Sequence, residues 1–167
     1  MITERIGPPL IADEREMLRA FLDYHRATLV MKCDGLGDED LRRQSMPPST
    51  LSLLGLVRHM AEVERSWFRR VLLGEATAGP IWYSPAAEDG DIAPLDDADW
   101  DTDLAVWQAE CQAAREAAAR HGLDDTGLRH GKPCSLRWIY VHMIEEYARH
   151  NGHADLIREL TDGEVGC

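Results

Sequence analysis

A chain of 167 residues is long enough to close one core, and a single domain over 1–167 is the expected organisation. Apolar residues at 44 % and charged residues at 29 % are ordinary for a soluble globular protein. A formal net charge of −12, with Lys32 and Lys132 the only lysines, argues against a nucleic-acid partner and leaves no polybasic patch for a membrane surface.

The opening stretch MITERIGPPLIADERE carries charges and prolines where an export signal needs an apolar run, and no later stretch could span a bilayer. A cytoplasmic location follows as the expectation. Cys33, Cys111, Cys134 and Cys167 form no CxxC pair, so free thiols are expected rather than a disulfide framework.

The first helical segment is predicted from about Asp13 to Asp34, with Asp13 and Glu16 in a capping-box pattern and Leu18, Leu22, His25 and Leu29 facing inward. The acidic–basic turn DEDLRR leads to Met46-Pro47-Pro48, which cannot continue a helix. Ser49 or Thr50 then caps a second segment, about Leu51 to Leu73, whose stripe is Leu53, Leu56, Val57, Met60, Val63, Trp67 and Val71.

From Gly74 to about Asp99 the prolines, glycines and aspartates predict a long loop that covers a site or is mobile. Ile81, Trp82 and Tyr83 are its apolar anchor, and Trp82 is a candidate pocket wall. Its aspartates lack EF-hand spacing and read as a solvated run that also supplies N-caps. A third helix is predicted over about Thr102 to His121, then LDDTGLRHGKPC as a second loop. Ser135 caps a fourth helix, about Leu136 to Thr161, that ends at Gly163. No period-two strand pattern occurs, and Trp67, Trp107 and Trp138 fall on helix stripes as expected core residues. Four such helices describe an all-α four-helix bundle.

The fourth helix poses a problem. Leu136, Ile139, Met143, Glu146, Tyr147, His150, Ala154 and Ile157 share one inward face, so a carboxylate and an imidazole interrupt an apolar stripe. An ionised Glu there costs several kcal/mol, of the order of a buried unpaired charge, unless a cation faces it. On the second helix His59 lies along the packing stripe, three after Leu56 and four before Val63. Inward side chains on facing helices, with an i, i+3 or i, i+4 pair, are how bundle-core metal sites are built.

Two imidazoles and a carboxylate suit zinc, nickel, iron or manganese, and three protein ligands leave coordination positions open. The spacing admits rivals. His150 and His153 form an i, i+3 pair, His142 stands a turn away, and Glu146 could instead pair with Arg149 or Arg58. His25 could stand behind the ligands, while His121 and His130 lie in or beside loops.

PPSTLSLLGLVRHMAEVERSWFRRVLLGE and SLRWIYVHMIEEYARHNGHADLIRE, with EREMLRAFLDYHRATL near the start, resemble the DinB-like (YfiT-like) superfamily, in particular its mini-circle-protein branch. The resemblance covers nearly the whole chain. It implies a four-helix bundle with an up–down–down–up course, often a homodimer, and a metal held by one histidine of the second helix and a pair four apart in the last. His59 falls on the first of those positions and Glu146-xxx-His150 on the pair, where most relatives have two histidines. Mycothiol-dependent maleylpyruvate isomerases show a similar His, Glu, His set.

The spacing of four thus favours His150 over His153, leaving His153, and beside it His142, as neighbours of the ligands or substitute ligands. The implied function is that of a metal-dependent enzyme, zinc the first candidate ion. It would use a low-molecular-weight thiol such as mycothiol or bacillithiol in S-transfer or isomerisation of a small-molecule electrophile. A non-catalytic metal-binding or stress-response protein and a metal-free helical interaction module are the alternatives. No catalytic residue is assigned.

Overall fold

The computed structural model describes residues 5–93 and 95–166, so Cys167 lies outside it. The described chain is mostly helical. Helix α1, Glu14–Cys33, starts where Asp13 accepts a hydrogen bond from the Glu16 amide at 2.9 Å, as its capping pattern predicts. A short helix α2, Asp38–Arg42, forms within the DEDLRR turn because Leu41 is fully buried.

Helix α3, Leu53–Glu64, begins later than Ser49 or Thr50 would place it. The cap is Ser52, whose hydroxyl accepts from the Gly55 amide at 3.1 Å. The second segment is not uniform either. From Arg65 to Leu72 it widens into π-helix, and the Leu73 amide reaches back five residues to the Phe68 carbonyl. Such wide turns are rare and gather at functional sites. Helix α4, Trp100–Ala119, is capped by Asp99, and α5, Leu136–Asp162, by Ser135. The latter helix stops at Gly163 in the left-handed conformation (φ 84°).

LDDTGLRHGKPC is not a plain loop. Strands β1, Thr126–Arg129, and β2, Lys132–Ser135, pair antiparallel with Leu128 opposite Pro133. His130 and Gly131 turn the hairpin at positive φ. What fixes it is tertiary: Gly127 lies so close to the π-helical segment that a Cβ would sit 1.9 Å from the Val71 carbonyl oxygen. Leu128 points outward and is exposed, so no alternation announces the strand.

Helix α1 packs chiefly on α5 and α3 on α4, while α3 also meets α5. Leu22, Leu29, Leu56, Met60, Ile139, Met143 and Ile157 fill the shared core with no exposure. Within it, Arg26 donates through Nε and an Nη to both oxygens of Glu64 at 2.7 Å, and the Tyr147 hydroxyl donates to Glu64 at 2.8 Å. Trp67 and Trp107 are buried as expected, but Trp138 is 45 % exposed and covers His142 instead of the core.

Candidate metal centre

Where α3 meets α5, His59 faces Glu146 and His150, and each of the three offers a ligand atom within 4.8 Å of the others. The His59 and His150 rings stand 4.7 Å apart at 62°. His150 Nε2 lies 3.5 Å from Glu146 Oε2, while His142 Nε2 lies 3.3 Å from the other oxygen, Oε1. Glu146 therefore has an imidazole at each oxygen and, among the described residues, no arginine in an ion pair with it. Arg149 pairs with Glu145, and Arg58 pairs with Asp103 at 2.6 Å and with Asp97.

The His59 ring is held from behind. Its Nδ1 lies 2.8 Å from Oδ2 of the buried Asp91. An ionised carboxylate only accepts, so Nδ1 carries the proton and the Nε2 lone pair is presented on the opposite edge of the ring. Asp91 reaches this place because the long loop is strapped around α3. Glu62 Oε1 accepts from the amides of Ile81 at 2.6 Å and Trp82 at 2.7 Å. One turn before His59, Gly55 admits the Ile92 carbonyl oxygen to 2.9 Å from where a Cβ would be. Trp82 lies under the Arg58 guanidinium, 5.0 Å from ring centre to Cζ.

Burial, reinforced by the neighbouring His59 and His153 imidazoles and by Arg149, pushes His150 down to about 4. The ring is therefore neutral at pH 7 and its lone pair is free to bind. Beside His59 opens a cleft of about 340 Å³, walled by Trp67 and Tyr83 and edged by Ser66, Glu88 and Asp89. Tyr83, not Trp82, is the loop aromatic on that wall.

The model of the mycothiol-S-transferase family matches residues 17–163. The chain belongs to this family. A comparison with curated proteins found no match. The mycothiol-S-transferase match spans all of α3, the loop and all of α5, so the three facing side chains, Asp91 and the cleft all lie inside it. The family sits within the DinB/YfiT-like superfamily and is of thiol-dependent transferase type. No helix among the described residues is long and apolar enough to cross a membrane.

The donor set fits a divalent ion. Atoms bound to one tetrahedral zinc at 2.0–2.2 Å stand about 3.5 Å apart, and the His150–Glu146 separation of 3.5 Å already matches. His153 stands behind His150, Nδ1 to Nδ1 at 3.4 Å, and is not among the three facing groups. His142, with Glu145 and Glu146, makes a second candidate group along one helix face; its ring is stacked on Trp138 at 18° and meets the Trp67 edge. His25 contacts Asn151, the neighbour of His150, and burial lowers its pKa. His121 is bound to the Ala117 carbonyl, and His130 lies in the hairpin turn.

Sequence reasoning missed Asp91 and Glu62. The loop aspartates read as one solvated run, and nothing in the local pattern marks the single one that turns inward onto a histidine 32 positions away.

Proposed function

We propose that this protein is a metal-dependent S-transferase in which His59, Glu146 and His150 hold one divalent ion, zinc first among the candidates, and a low-molecular-weight thiol, mycothiol by the family match, is the co-substrate. The observation that carries the reading is Glu146, a half-buried carboxylate with an imidazole at each oxygen, facing His59 across the helix interface. An acid in such a place needs a cation, and the nearby arginines are engaged elsewhere.

A bound ion with an open position supplies a Lewis acid that depresses the pKa of an approaching thiol. The chain's own residues do the rest. Asp91 fixes the tautomer and orientation of His59, as carboxylates beyond metal-bound histidines do. Burial keeps His150 unprotonated, so it competes for no proton at neutral pH. The cleft on the His59 side offers the thiol a partly dry approach. We read the four long helices as an up–down–down–up bundle and the assembly as a homodimer.

The test is turnover. Zinc-loaded wild-type protein, given mycothiol and a panel of small electrophiles, should consume thiol. The metal-free protein and the Glu146→Ala variant should not. Turnover that survives loss of both metal and Glu146 would discard the reading.

A further inference from the structure

Away from the candidate metal centre the bundle is open along one seam. Helix α1 rests on α5 and α4 rests on α3, but α1 and α4 hardly touch each other among the described residues. Two adjoining hollows of about 590 and 550 Å³ lie there instead, and Glu16, Arg19, Arg26 and Arg115 line both. His59, Glu146 and His150 line neither. We propose that this seam is a second binding site, for a small aromatic carboxylate whose charge meets the arginines and whose ring lies against Tyr24 and Trp107.

The seam holds more guanidinium than its own acids need. Arg26 is buried, and it donates to both oxygens of Glu64 at 2.7 Å. Asp23 Oδ1 accepts from Arg26 at 3.0 Å and from Arg115 Nε at 3.0 Å, which ties α1 to α4. Arg19 reaches only the other oxygen, Oδ2, and only at 3.6 Å. One carboxylate thus serves three guanidiniums, and the fork of Arg19 has donors to spare for a ligand. Arg15 spends its donors on the Ala118 and His121 carbonyls, which leaves its charge unmatched by an acid. In a chain of net charge −12 such a gathering of arginines is local and specific.

The walls select the rest of the ligand. Tyr24, Trp107, Ala20 and Ala27 line the hollow beside the arginines, so an apolar body gains contact there that a bare inorganic anion cannot use. Flat aromatic surfaces favour a ring set edge-on or offset against them. The Arg5 guanidinium, 4.8 Å from the Tyr24 ring centre, adds charge of the same sign. Glu16 is the opposing group: it lines both hollows and pairs with no described arginine, so it disfavours an anion and its removal reports the sign of the site.

The experiment titrates 2-naphthoate, its neutral amide and 2-naphthylmethylammonium against the protein as purified, followed by ligand-observed NMR. The carboxylate should bind most tightly and the ammonium most weakly. Arg19→Gln should weaken naphthoate about three- to tenfold, the range expected for losing a partly exposed charged donor, and Glu16→Gln should tighten it. Ala20→Phe, which fills the hollow, should abolish binding. Positions 16 and 19 are exposed, so thermal unfolding serves as the folding control for those two variants. A carboxylate can also ligate a metal ion, so Glu146→Ala is titrated in parallel and should bind naphthoate as wild type does. Equal binding of the three probes, indifference of naphthoate to Arg19→Gln and Glu16→Gln, or loss of its binding in Glu146→Ala would overturn the proposal.

Discussion

Asp91 Oδ2 lies 2.8 Å from His59 Nδ1, so a residue of the long loop sets the proton position of a side chain on α3. The loop's attachment to α3 and the readiness of the proposed metal centre are thereby linked. Removing the carboxylate should leave the fold intact and loosen the ion.

Asp91→Asn should lower metal affinity about 10- to 100-fold, the usual effect of losing a carboxylate behind a metal-bound histidine. Competition with a chromogenic chelator measures it. An unchanged affinity would show that His59 needs no such support.

Gly55→Ala should act on the same link from a distance. The added methyl meets the Ile92 carbonyl oxygen at 2.9 Å and must push the loop, at about 1–3 kcal/mol, the usual range for overpacking. Urea unfolding should report the loss of stability, and chelator competition a loss of metal affinity in step with it. Lost stability with full affinity would mean that the loop moves without taking Asp91 along.

The metal-free protein should lose stability as the solution is acidified. His150 protonates only near pH 4 when folded and near 6.5 when unfolded, so between these values the unfolded chain binds more protons. This contribution is complete above pH 6.5 and falls as pH drops toward 4, by at most about 1.4 kcal/mol per pH unit. Urea midpoints across pH 4–7 should show the slope, and His150→Gln should make it shallower. An equal slope in both proteins would contradict the assignment.

The reacting thiol should be neither Cys33 nor Cys111. Burial pushes Cys33 up to about 12 and Cys111 higher still, the latter also beside Glu64. Iodoacetamide on the native protein should leave both unmodified and label the half-buried Cys134 before either of them, as read by peptide mass spectrometry. Rapid labelling of Cys33 or Cys111 would reopen a cysteine mechanism.

The helices were legible because their apolar residues recur at threes and fours and their ends carry Asp13, Asp99, Ser135 and Gly163. The same regularity brought Glu146 and His150 onto one face and made His59 a candidate across from them. The hairpin was not legible. Its four-residue strands bury little of their own, and Gly127 pressing on Val71 is a contact between distant parts of the chain. Trp138 misled because a helical stripe also has flanks, and a tryptophan there can stack on His142 outside the core. Asp91 escaped because a loop has no period from which a side chain's direction can be read.

The most direct measurement is metal content. Protein purified without chelators should carry about one divalent ion per chain, the stoichiometry of a single three-ligand site. His59→Ala, Glu146→Ala and His150→Ala should each lose it while remaining helical by circular dichroism. Wild-type protein without stoichiometric metal, or variants that keep the ion, would contradict the account.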